Sequence, residues 1–184
     1  MARHSDPELA GRILRAARKL WHKGGETALS MRAVAKAAGT NTPAVYRRFR
    51  SREAILRALI EDYQRQLIEQ IVPCKSAQEI ADRILKFALS RPREYELITS
   101  GLLARMTSDR PAVDFAAYRA AELLGGSPKD HECLTMSVWA LVHGMALLQI
   151  SGSMREEDHP RALVAFKRAM NVLVENEDQL RHGN

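Results

Sequence analysis

The stretch from Ser30 to Arg52 concentrates the side chains best suited to gripping a polyanion and reading its edges. Thr42, Tyr46, Arg47 and Arg48 share one short segment with Pro43 and Ala44; Arg32 precedes it, and Arg50 and Arg52 follow. A guanidinium fork fits a phosphate or the O6 and N7 acceptors of guanine, a hydroxyl suits a phosphate oxygen, and a small methyl suits the methyl of thymine. On that chemistry Arg48 is the candidate for a bidentate base contact, Tyr46 for a phosphate contact and Ala44 for a thymine contact. Arg50 and Arg52 are placed to hold backbone phosphates.

Such groups act only if a scaffold aims them. The run Ser30-Met-Arg-Ala-Val-Ala-Lys-Ala-Ala-Gly39 reads as a short helix capped by Ser30, with Val34 and Ala37 inward and Gly39 as its stop. Thr42 as N-cap and Pro43 at the first helical position open a second helix, anchored by Val45 and Phe49. Only Thr40 and Asn41 intervene, which is helix-turn-helix spacing. A plain helical hairpin shares that pattern, and charge separates the two readings. Residues 1–52 carry 12 Lys/Arg against 3 Asp/Glu, a charge of +9, whereas residues 53–184 carry 16 against 19, a charge of −3. Clustered positive charge is what drives association with phosphates, so double-stranded DNA is the expected partner of the front end.

The elements around this pair follow a 3.6-residue apolar period, with no strand-like alternation and no internal repeat, so the fold class is all-α. A first helix starts at Asp6 and Pro7, carries Leu9, Ile13, Ala16, Ala17, Leu20 and Trp21 on one side, and ends at Gly24-Gly25. Ser51 caps a long fourth helix with Ile55, Leu56, Leu59, Ile60, Tyr63 and Leu67 along it, until Pro73 breaks the pattern. Further helices are expected at about 77–90, 93–106, 111–124, 128–150 and 159–179. The division falls into a helix-turn-helix domain over residues 1–52 and a helical domain over 53–184.

Several function classes find no support. The polar N-terminus lacks the apolar run of a secretory signal, and no stretch is read as a spanning helix; the apolar segment 137–150 is taken as a buried helix. With Cys74 and Cys133 far apart, both are packing or surface thiols of a cytoplasmic protein. His131 and Cys133 form the only close pair with metal-ligand chemistry, too few for a structural site, so neither metal nor cofactor is expected. No phosphate loop or nucleophile elbow is present, and the acidic clusters at 156–158 and 175–178 read as solvated, which argues against an enzyme. The alternative kept beside DNA binding is a basic helical carrier or enzyme that binds some other polyanion.

From Ile13 to Leu56 the chain resembles the TetR family of bacterial transcriptional regulators, on Ala16-Ala17, Leu20, Gly24, Ser30-Met-Arg-Ala-Val-Ala, Ala38-Gly39, Pro43-Ala-Val-Tyr46, Phe49 and Ser51-Arg-Glu-Ala-Ile-Leu56. Pro43-Ala44 and Arg48 depart from the residues common in relatives, which bears on the operator read. The resemblance implies DNA contacts from Arg32 on helix two and from Thr42, Pro43, Ala44, Tyr46 and Arg48 on helix three, with Arg52 at the family's backbone-contacting position. It also implies a homodimer that binds a palindromic operator, usually as a repressor, and an unidentified small-molecule effector, with no membrane partner.

Toward the C-terminus, Pro92-Arg-Glu-Tyr95 and Trp139-Ala-Leu-Val-His143-Gly144 resemble a subgroup of these regulators with a Trp-x-x-x-His-Gly element, the WHG subgroup. Trp139 and His143, four apart, share a helix face, and Gly144 is expected to admit a close neighbouring helix. The last two long helices hold more apolar positions than one core-facing stripe needs. A dimer interface is therefore expected from Leu134, Val138, Leu141, Val142 and Met145 on one, and Ala162, Phe166, Ala169, Met170 and Leu173 on the other. A largely apolar effector pocket is expected from Tyr63, Tyr95, Ile98, Leu102, Met106, Phe115, Tyr118, Trp139 and His143, and with no acidic residue in that set it favours an uncharged or weakly polar ligand over a strongly cationic one.

Overall fold

Apolar side chains at helical spacing give an all-α chain, which a computed structural model describes over residues 8–101 and 111–181. Helix α1, Leu9–Ala28, buries Ile13, Ala16, Ala17 and Trp21. The chain leaves helical geometry at Gly24 and Gly25, as expected, Gly25 taking φ of 58°, but a further turn carries the element to Ala28. Helix α2, Met31–Ala37, is capped by Ser30, whose Oγ accepts the N–H of Ala33 at 3.2 Å. Its end is a Schellman closure: Gly39 sits at φ of 63°, its N–H donates to the Lys36 carbonyl, and the Thr40 N–H donates to the Ala35 carbonyl at 3.0 Å.

Helix α3, Thr42–Arg48, is capped by Asn41 and not by Thr42. The Asn41 Oδ1 accepts the Ala44 N–H at 2.9 Å. Asn outranks Thr at this position, and the register still leaves Pro43 in the first turn, where no N–H is needed. Ser51 caps α4, Arg52–Ile71, as expected. The remaining helices are α5 (Ala77–Ser90), α6 (Pro92–Thr99), α7 (Pro111–Leu124), α8 (Glu132–Ile150, entered through a 3-10 turn at Pro128–His131), α9 (His159–Glu175) and α10 (Glu177–Arg181). The helix expected over 93–106 closes at Thr99, and the one expected over 159–179 breaks at Asn176, whose side chain donates to the Val172 carbonyl at 2.8 Å. Asp6, Pro7, Leu102 and Met106 lie outside the described residues.

Three apolar clusters line up along α4. Ile55, Leu56, Leu59, Ile60 and Tyr63 pack with α1, Val34 of α2, Val45 of α3 and Leu97 of α6. Leu67 joins Leu85, Phe87, Tyr95, Val142, Phe166 and Met170, while Ile71 joins Cys74 and Ile80. One rigid rod thus runs from the base of the helix-turn-helix into the C-terminal helices.

Two expectations about polarity are corrected. Glu177 is not solvated: it is buried against the fully buried His131, with Nδ1 of His131 2.7 Å from its carboxylate, and it also binds Arg181. The other ring nitrogen of His131 lies 2.6 Å from the Gly125 carbonyl, so this histidine pins the turn before α8 to α10, while Cys133 is exposed. The segment 128–150 does reach the length and mean hydropathy, 1.6, of a membrane-crossing helix, and it is not wholly buried. It packs against α5, α7 and α9 and keeps only Leu134, Val142 and Ala146 of α8 deep in the core.

Candidate nucleic-acid interface and effector cavity

Helix α3 rests on the front core through Val45 and Ala44 and turns Pro43, Tyr46, Arg47 and Arg48 outward. Tyr46 is half exposed, and Arg32 and Lys36 of α2 and Arg50 beyond α3 are exposed beside it. Thr42 is partly buried at the helix start. The polar edge therefore has the composition of a major-groove reader, with cations on both flanks for phosphates. Ala44 does not belong to that edge: at 5% exposure its methyl packs inward, so the thymine contact expected from it is withdrawn.

Arg52, partly exposed, is held by its own chain. Its Nε donates to the Leu29 carbonyl at 2.7 Å, and Nη2 donates to the Glu26 carbonyl at 2.9 Å. A third contact, at 3.3 Å, reaches the Glu26 carboxylate. The guanidinium ties the start of α4 to the carbonyl-rich end of α1, where a cation is electrostatically favoured.

Behind this surface, α6 docks on α1. The indole N–H of Trp21 donates to the Arg93 carbonyl at 2.8 Å, and His22 Nε2 lies 3.1 Å from the Glu94 carboxylate. Arg18 pairs with Asp62 of α4, which also accepts from Gln66 at 2.9 Å, and Gln66 in turn accepts from Arg91 at 2.7 Å. Polar contacts thus run from α1 and α4 to the residues opening α6.

The other side of α6 faces a cavity of about 90 Å³ between α4, α5, α7 and α8, with Tyr95, Ile98, Thr99, Thr135, Val138 and Trp139 among its walls. Of the expected lining, Tyr95, Ile98 and Trp139 take part. His143 stands behind Tyr95: its Nδ1 is 3.2 Å from the tyrosine hydroxyl, and its ring stacks on Trp139 at 5.8 Å between centroids. Burial lowers the pKa of His143, so the imidazole is neutral near pH 7, and it raises that of Tyr95 to about 12. With the imidazole proton on Nε2, the Tyr95 O–H donates to Nδ1.

Tyr63, Phe115 and Tyr118 are placed elsewhere. Tyr63 is buried in the front core with the Arg18 guanidinium 5.8 Å from its ring centroid, Phe115 packs on the Ile71 cluster, and Tyr118 is exposed. Thr135, Thr99 and the alanines of α7 complete the wall, and small or β-branched residues inside apolar runs gave no sequence signal for it.

The expected dimer face also needs correction. Leu134, Val142, Phe166 and Met170 are 2% exposed or less, the last three packed in one core cluster with Leu85, Phe87 and Ala88 of α5, so none of the four can meet a partner. Val138, Leu141, Met145, Ala162, Ala169 and Leu173 are partly buried. The large outward apolar side chains are Met136, Trp139, Leu147, Leu148 and Ile150 on α8, with Leu163, Val164 and Val172 on α9. Gly144 has no close neighbour among the described residues: a Cβ built there would meet none of them within 4 Å, so the expected close helix is not seen.

Residues 13–59 match the family described as bacterial regulatory proteins, tetR family, and residues 77–173 match the tetracyclin repressor-like C-terminal domain. An uncharacterized HTH-type transcriptional regulator of Mycobacterium tuberculosis is 30% identical over 167 residues, covering 85% of this chain and 81% of that protein. Among solved structures, TetR from Acinetobacter baumannii AYE superposes with a TM-score of 0.67 at 22% identity, covering 93% of this chain and 97% of its own. The multidrug binding protein EbrR, complexed with imidazole, gives a TM-score of 0.62 at 20% identity over 91% and 90%. At these identities the structural likenesses establish the fold.

Proposed function

This chain belongs to the tetR family of bacterial regulatory proteins and is a DNA-binding transcriptional regulator rather than an enzyme, and from that premise we propose that it acts in the cytoplasm as a homodimeric, effector-responsive repressor of a palindromic operator. The observation that carries the reading is α3, a capped helix seated on the core with Pro43, Tyr46, Arg47 and Arg48 facing out. Arg48 reads a base, Tyr46 and Arg32 hold phosphates, and Thr42 and Arg47 flank them. In a two-fold dimer the two α3 helices enter successive major grooves about one helical turn apart.

The outward apolar stripes of α8 and α9 support the dimer, because exposed patches of this kind mark contact surfaces. Paired with their symmetry mates the two helices form a four-helix bundle, and Gly144 lets backbones approach. The stacked Trp139 and His143, followed by Gly144, support membership of the Trp-x-x-x-His-Gly subgroup.

An effector in the cavity would press on Tyr95, Ile98 and Thr99 of α6, whose opposite side holds α1 through Arg93 and Glu94. A solved TetR variant from Acinetobacter baumannii AYE is in complex with minocycline, which supports effector binding by this chain. The effector releases DNA only by its differential affinity for the two separations of the α3 helices. The test is Arg48→Ala on an operator enriched from random DNA. It should lose roughly 5- to 150-fold affinity at one base position per half-site, corresponding to about 1–3 kcal/mol. Equal affinity for every base at all positions would reject the assignment.

A further inference from the structure

We infer that the cavity takes an uncharged, largely hydrocarbon ligand carrying one hydrogen-bonding oxygen, and that the hydroxyl of Thr135 engages that oxygen. This deepens the effector-responsive reading above and rests on it. Among the described residues no Asp, Glu, Lys, Arg or His lines the cavity; its walls are aliphatic side chains of α4, α5, α7 and α8 together with Tyr95, Thr99, Thr135 and Trp139. A buried charge without a partner is strongly disfavoured, and a cationic or anionic ligand would meet no charged side chain among the described lining residues to offset its desolvation.

The polar groups on the wall differ in what they have left to offer. The Tyr95 hydroxyl is engaged with His143, and the Thr99 hydroxyl donates to the Tyr95 carbonyl at 2.8 Å. Thr135 Oγ1 is buried and has no hydrogen-bond partner among the described residues. A buried threonine inside a helix can bond back to the carbonyl four residues earlier, and this one does not. A buried hydroxyl left unpaired costs the protein stability, and a ligand oxygen within the cavity would recover it.

Size narrows the class. About 90 Å³ is well under the ~300–1,000 Å³ of drug-sized sites and of the same order as the ~150 Å³ apolar void that admits benzene. A monocyclic or short-chain alcohol, ketone or ester is the matching chemistry.

The experiment uses the full-length protein and four probes of one shape: toluene, benzyl alcohol, benzylammonium and benzoate, measured by calorimetry and by thermal shift. Toluene and benzyl alcohol should bind, and the two ions should not. In Thr135→Val, toluene should bind as in the parent, while the affinity of benzyl alcohol relative to toluene should fall about ten-fold; Thr135→Ser should keep the parental ratio. Binding of either ion as tightly as benzyl alcohol, an unchanged ratio in Thr135→Val, or no binding by any probe overturns the inference. Operator affinity is followed in the same samples by fluorescence anisotropy. Probe binding that leaves operator affinity unchanged supports the cavity inference while refuting the effector reading.

Discussion

Replacing Arg52 by Ala separates two roles that one arginine at the start of α4 can have. As a phosphate contact its loss would leave the fold alone and weaken DNA binding. As the clasp described above its loss removes donors from the Leu29 and Glu26 carbonyls, at 2.7 and 2.9 Å, and a longer contact to an exposed carboxylate. Hydrogen bonds from a charged donor contribute about 1.5–3 kcal/mol when well buried, and this side chain is 28% exposed, so about 2 kcal/mol for the pair is the working figure. For a chain of this size that lowers Tm by roughly 4–8 °C. The second readout is the dependence of operator affinity on salt. A phosphate contact in each subunit would reduce the slope of log K against log salt by about 2 in the dimer. The clasp predicts a lower Tm with the slope unchanged; an unchanged Tm with the slope reduced would refute it.

Other outcomes follow from the same geometry. Leu147→Glu together with Val164→Glu should give a folded monomer by sedimentation with weakened operator binding, because both side chains point outward; retention of dimer mass would remove this interface. Phe166→Glu, at 1% exposure, should instead cost several kcal/mol and show as loss of folded protein, since it buries a charge in the core. His143 has its pKa lowered by burial, so the unfolded chain takes up its proton first as the pH falls through about 6.5. Tm should therefore fall more steeply between pH 7 and 5 in the parent than in His143→Gln, and equal slopes would show that the imidazole is not held neutral.

The sequence is most legible where short-range chemistry decides the structure. Ser30, Gly39 and Ser51 mark their helix ends through one side chain or one backbone angle, and the structure uses all three. The one-residue shift of the α3 cap shows the limit of that logic: Asn41 and Thr42 are adjacent capping residues, and the choice is made by which oxygen reaches the Ala44 N–H. Orientation in the C-terminal half is harder to read because α8 is apolar nearly all round, so periodicity does not say which stripe faces the core. Leu134 and Val142 point inward, while Met136 and Leu147 point outward. The same blindness hides Thr135, whose importance comes from an unpartnered hydroxyl and not from its residue type. Arg52 shows the reverse problem, since a basic residue beside a recognition helix looks the same in sequence whether it holds phosphate or its own chain.

Selection of bound sequences from random double-stranded DNA, carried out in parallel on the parent and on Arg48→Ala, tests the central claim most directly. The account predicts that the parent enriches a two-fold-symmetric site with half-sites about one helical turn apart. It further predicts that Arg48→Ala enriches the same site with preference lost at one base position in each half. Failure of the parent to enrich any sequence, or an identical enriched site in both proteins, would contradict it.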